Sequence, residues 1–95
     1  MNIKGVKIRA IVDVKEGVSQ TSGKPWRKGT VVIDYPHGAE YTEVILADAF
    51  NEALDEAEGF LNQLVDVTIW MTTHEYNGRL YQDIKFSSAT LVVMP

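Results

Sequence analysis

Residues 22–29 read Ser-Gly-Lys-Pro-Trp-Arg-Lys-Gly, which sets an indole among three cations, Lys24, Arg27 and Lys28. Tryptophan is usually buried, so a tryptophan in a charged turn calls for a reason. One reason is chemical. An exposed indole offers a face on which an unpaired base can stack, worth roughly 1–3 kcal/mol per base and tolerant of sequence. The neighbouring cations would then meet phosphates and release counterions. The other reason is structural: Trp26 covers the open end of a small barrel, with the Lys and Arg stems laid over it. A second group of the same character surrounds Asn77-Gly78, namely Tyr76, Arg79 and Tyr81. Nucleic-acid contact and cross-strand aromatic pairing both account for that group.

Other chemistries find no residues to carry them. The only histidines, His37 and His74, have no second candidate ligand at local metal spacing. There is no Gly-x-Gly-x-x-Gly, no phosphate loop and no serine in a nucleophile elbow. Glu52, Asp55 and Glu56 are close in sequence, but nothing desolvates one relative to another, so no general acid is indicated. No enzyme, metal or cofactor is expected.

Ninety-five residues make one domain, spanning 1–95. The absence of cysteine removes disulfides and thiolate metal sites and suits a cytoplasmic setting. No signal-peptide core or membrane-length apolar run is present. The net charge of −4 argues against a polyanion partner until its distribution is seen. Residues 1–28 are net +5, residues 29–78 carry ten acids and no Lys or Arg, and residues 79–95 are net +1. One part of the chain is basic in an acidic protein, either for binding or as an uneven solvated surface.

The elements that must position these residues follow from periodicity. Val6, Ile8, Ala10, Val12 and Val14 alternate with mostly polar residues and predict a strand with those five toward a core, Ile11 being the apolar exception. The strand is long and starts near Gly5, so it can bend and serve two sheets. Residues 16–25 read as a loop. Trp26–Tyr35 predicts a second strand, with Val31 and Ile33 on one face and Trp26, Lys28, Thr30 and Val32 on the other; Pro36-His37-Gly38 breaks it. A third strand is expected over Tyr41–Ala47. A helix over Asp48–Leu61 has an apolar stripe of Phe50, Ala53, Leu54, Ala57 and Leu61, with Asp48 as its cap and its acidic face in solvent.

Strand four, Val65–Tyr76, and strand five, Arg79–Val93, are joined by Asn77-Gly78, the strongest short-range hairpin signal. A two-residue turn fixes the register: Tyr76 opposite Arg79, His74 opposite Tyr81, Met71 opposite Ile84, Trp70 opposite Lys85 and Ile69 opposite Phe86. Trp70 then points away from the core. A cation–π contact with Lys85 or a subunit interface accounts for it, and we assign it to an interface.

Three strands, a helix and a hairpin predict an all-β, five-stranded OB-fold Greek-key barrel with one α-helix between strands 3 and 4. An α+β sheet with the helix across one face is the alternative.

The run Ser22–Lys28 followed by an apolar strand resembles the entry to strand two of small bacterial OB-fold proteins. Glu75-Tyr76-Asn77-Gly78-Arg79-Leu80-Tyr81-Gln82-Asp83-Ile84 resembles the last hairpin of the same group. Together they resemble a small bacterial OB-fold family of unknown function related to single-stranded DNA-binding proteins. The resemblance implies a barrel whose relatives bind single-stranded DNA, often as homo-oligomers. Two features depart from it. Lys85-Phe86-Ser87 stands where the family often has another tryptophan, and the sequence ends at Pro95 without the acidic-tipped tail of the bacterial single-strand binders, so partner recruitment through such a tail is not expected.

The expectation is sequence-tolerant binding of single-stranded DNA, or of RNA, through Lys24, Trp26, Arg27, Lys28, Tyr76, Arg79 and Tyr81. The rival is an OB barrel that docks a protein or its own copies through residues such as Trp70.

Overall fold

The computed structural model describes residues 1–37 and 41–92. Five strands close into a barrel in the order β1-β2-β3-β5-β4: β1 (Asn2–Val18), β2 (Pro25–His37), β3 (Tyr41–Phe50), β4 (Leu64–Tyr76) and β5 (Arg79–Leu91). One helix, α1 (Glu52–Gly59), lies between β3 and β4. This is the OB topology, and it excludes the open α+β sheet. The expected end of the last strand at Val93 lies outside the described residues, as does Gly38 of the Pro36-His37-Gly38 break; Pro36 and His37 themselves belong to β2.

β1 holds the barrel together because it pairs with two neighbours. Asn2–Lys7 runs antiparallel to β4, and Lys7–Val18 runs antiparallel to β2. The change of partner needs bends. Gly5 has φ +69°, a conformation that suits glycine, and its N–H donates to Asp66 Oδ1 at 2.9 Å. A further register shift lies between Ile8 and Ala10, where two residues of β1 advance against one of β2. That extra residue reverses the alternation. Val6 and Ile8 are fully buried as expected, but Ile11 then turns to the core in place of Ala10, while Val12 and Val14 are exposed. Strict period two misplaces the second half of the strand because it cannot foresee a bulge.

β2 and β3 pair without interruption from His37↔Tyr41 to Lys28↔Phe50. The ladder carries β3 three residues past its expected end, into the segment read as helix. Backbone pairing along β2 thus outweighs the helical stripe at Asp48 and Phe50. Asn51, with φ +49°, turns the chain, and α1 starts at Glu52. Asp48 is a strand residue rather than a cap; Thr30 donates to it at 3.5 Å. Phe50 and Leu61 lie outside the helix and are partly exposed, and only Leu54 and Ala57 of the expected stripe are fully buried, with Ala53 packed beside them.

Those two residues plug one end of the barrel. The core comprises Val6, Ile8, Val31, Ile33, Ala47, Ala49, Leu54, Ala57, Val65, Val67, Ile69, Phe86 and Ala89. Gly29 makes room for the plug: a Cβ there would stand 3.0 Å from Leu54 Cδ1 and 3.3 Å from methyls of Ile11 and Val14. The β4–β5 hairpin has the expected register at every pair, Tyr76↔Arg79 through Ile69↔Phe86, with Asn77 and Gly78 both at positive φ. No helix among the described residues is long and apolar enough to cross a membrane.

Candidate nucleic-acid interface

Alternation along β2 puts Val31 and Ile33 inside the barrel and Trp26, Lys28, Thr30 and Val32 outside, as expected. The register extends this outer face across the other strands. Lys15 stands directly opposite Lys28, and Phe50 directly opposite Lys28 on the other side. One parallel pair, Asp48↔Lys85, brings β5 beside β3, and Lys85 stands opposite Trp70. Phe50 is the meeting point: Lys28 Nζ lies 5.5 Å from its ring centre and Lys85 Nζ 5.8 Å. Both distances are within cation–π range. Lys85 reaches Phe50 rather than the Trp70 ring considered from the sequence.

From this centre the predicted residues spread in opposite directions. β2 runs from Lys28 back to Trp26 and the Ser19–Lys24 turn. That turn is tied by Ser19 N–H to the Lys24 carbonyl at 2.9 Å and by Gly23 N–H to the Ser19 carbonyl at 2.8 Å. β5, parallel to β3, runs the other way from Lys85 to Tyr81 and Arg79. Lys24 and Trp26 therefore occupy one end of the face, and Tyr76, Arg79 and Tyr81 the other, with Phe50, Lys85 and Trp70 between. Trp26 is 38% exposed, and its indole lies against β1 at Gly17, where a Cβ would come within 2.6 Å of Cζ2. Trp70 is 59% exposed and belongs to the same face as Tyr81 and Arg79. The Tyr81 ring stacks on His74, centres 5.6 Å apart, and His74 Nδ1 lies 3.5 Å from Asp83 Oδ2.

Arg27 stands apart from this group. It has the inward parity of β2 and its guanidinium meets three carboxylates: Glu16 at 2.9 Å, Glu58 at 2.6 Å, and Asp55. The hydrogen bond to Glu58 is the largest influence raising its pKa above the usual arginine value, with the Glu16 and Asp55 contacts adding to it. Asn51 accepts the Arg27 backbone N–H at 2.9 Å. Arg27 thus ties β1, β2 and α1 at the plugged end. Asp55, on the helix face expected to be simply solvated, is one of its partners, and Glu58 in the last turn of α1 is another. Arg27→Gln is expected to speed amide exchange in α1 and lower the thermal midpoint, by less at high salt, where the exposed ion pairs are screened. The approach of Lys28 and Lys85 to the Phe50 ring is expected to stay the same.

Arg9 is likewise taken up, by Asp34 at 2.6 Å. In contrast, Lys15, Lys24, Lys28, Arg79 and Lys85 form no ion pair among the described residues. Lys15 and Phe50 escaped the sequence reading. Lys15 lies past the second bulge of β1, and Phe50 fitted a helical stripe. The only available signal for Phe50 was its own large apolar side chain.

The fold and this face define an OB barrel with an aromatic and cationic outer surface on the strands that such barrels use for oligomeric ligands. No family model matches the chain, and no curated protein matches it significantly.

Proposed function

We propose that the outer face binds single-stranded nucleic acid, DNA first, with little sequence preference. The observation that carries this reading is the convergence of Lys28 and Lys85 on Phe50, with Lys15 directly across from Lys28. Like charges directly opposed on neighbouring strands are unfavourable. A bound phosphodiester strand relieves that repulsion, and Phe50, Trp70 and Trp26 supply faces for its bases. Lys24 meets the strand at one end and Arg79 at the other, beside Tyr76 and Tyr81.

The β4–β5 arm supports the reading. Every residue from Trp70 to Gln82 is exposed, and an uncovered two-stranded ribbon is only marginally stable in water. A strand laid along its outer face would order it. The resemblance to the family related to single-stranded DNA-binding proteins agrees, and a cytoplasmic setting and assembly into homo-oligomers are part of the same proposal. The net charge of −4 opposes a polyanion and keeps affinity modest. The rival reading, an OB barrel that docks proteins, is favoured by one observation: Trp70 and Leu46 are 59% and 58% exposed.

Titration of intrinsic tryptophan fluorescence with an oligothymidylate at two salt concentrations separates them. Nucleic-acid binding gives quenching that weakens steeply with salt, since each phosphate contact releases counterion. An unchanged signal at low salt rejects the nucleic-acid reading.

A further inference from the structure

Closure of the barrel between β3 and β5 rests on a single ladder pair, Asp48↔Lys85. On the side away from β2, the backbone of β3 from Tyr41 to Ala47 joins no other strand among the described residues. Open edges invite pairing with another chain, and proteins usually blunt them with charges, prolines or bulges. The other open edges here are blunted. β1 beyond Lys7 has two register shifts and carries Arg9, Asp13, Lys15 and Glu16. The β4–β5 arm carries Glu75, Arg79 and Asp83.

β3 has none of these devices over Tyr41–Ala47 except Glu43. It contains no lysine or proline, its ladder with β2 is free of bulges, and its outward Val44 and Leu46 are 45% and 58% exposed.

We propose that this edge pairs with the same edge of a second copy, antiparallel about a twofold axis at Val44. An antiparallel edge is self-complementary, as a closed dimer requires. In this register Val44 meets Val44 of the second copy, Leu46 meets position 42, Glu43 meets Ile45 and position 41 meets Ala47. No like charges are opposed, and Asp48 stays on Lys85. The axis is perpendicular to the sheet, so both outer faces lie on the same side of the joined sheets. Dimerisation does not depend on whether that side takes nucleic acid, and the two ideas fail separately.

Analytical ultracentrifugation of the whole chain over a concentration series tests it. The expected species has twice the 10.6 kDa monomer mass. Val44→Lys sets two ammonium groups opposite each other on the axis and raises the dimer Kd at least about ten-fold. Leu46→Lys acts in the same direction and serves if circular dichroism shows Val44→Lys unfolded. Val12→Lys, at a similarly exposed site on the bulged β1 edge, leaves the dimer intact. Amide exchange within Tyr41–Ala47 slows in the dimer and quickens in the Lys variants. A monomer at every concentration overturns the proposal, and so does a dimer indifferent to both Lys substitutions or lacking protection in β3.

Discussion

Phe50→Ala is expected to weaken binding of an oligothymidylate by about five- to 150-fold, the equivalent of one lost base-stacking contact of roughly 1–3 kcal/mol. The reasoning starts from where the ring stands. It is 42% exposed on the outer face, between two lysines whose ammonium groups lie 5.5 and 5.8 Å from its centre. Removing the ring takes away a stacking platform and also the cation–π partner of both ammonium groups. The effect therefore includes some loss of phosphate contact. Lys28→Ala with Lys85→Ala isolates that part: two fewer phosphate contacts should flatten the plot of log K against log salt by roughly 1.4, the single-strand value for two charges. Phe50 lies outside the buried core, so the Phe50→Ala protein should keep the wild-type circular dichroism spectrum. Fluorescence anisotropy of a labelled oligonucleotide measures both variants. Wild-type affinity in Phe50→Ala would remove the centre of the proposed track.

Leu54→Ala is expected to cost about 2–5 kcal/mol of stability, the usual range for truncating a fully buried leucine. Leu54 is 0% exposed and is the largest helix side chain in the core. Its Cδ1 methyl packs against Gly29, where a Cβ would stand 3.0 Å away and force the side chain to shift. β2, which Leu54 meets at Gly29, is held by ladder bonds to both β1 and β3 and cannot readily collapse into the void, which favours the upper part of the range. A domain of this size has a total stability of about 5–15 kcal/mol, so the variant should unfold at much lower urea. Urea denaturation followed by circular dichroism reads the change. A loss below about 1 kcal/mol would mean that α1 does not plug the barrel.

Much of the barrel was legible because its signals are local. Asn77-Gly78 requires one turn type, and that turn fixes every pair from Tyr76↔Arg79 to Ile69↔Phe86. Val31 and Ile33 alternate cleanly against Lys28, Thr30 and Val32, so the inner and outer faces of β2 were assigned correctly. The failures are non-local. The parity of β1 beyond Ile8 depends on a bulge that no residue type announces, so Ile11 and Val12 exchanged places. The end of β3 depends on continued pairing with β2, and Asp48 and Phe50 satisfied a helical pattern equally well.

The candidate site divides along the same line. Residue type and strand parity suffice to put Trp26, Lys28, Tyr81 and Arg79 on the outer face. Phe50 and Lys15 became visible only when register brought them beside Lys28. Arg27 looked like its neighbours Lys24 and Lys28 in sequence, yet inward parity delivers it to Glu16, Asp55 and Glu58. The pairing of Trp70 with Lys85 and its outward direction are legible in the hairpin register, and they leave a docking role and a place on the aromatic face equally open to it.

The central claim is that one outer face, centred on Phe50, receives an unpaired strand. Backbone amide shifts recorded while an oligothymidylate is added to the labelled protein test it most directly. The account predicts that the largest changes fall at Trp26, Lys28, Phe50, Trp70, Tyr81 and Lys85 and diminish at high salt, while α1 stays unperturbed. Changes confined to α1 and the Arg27 cluster, or none at low salt, would contradict it.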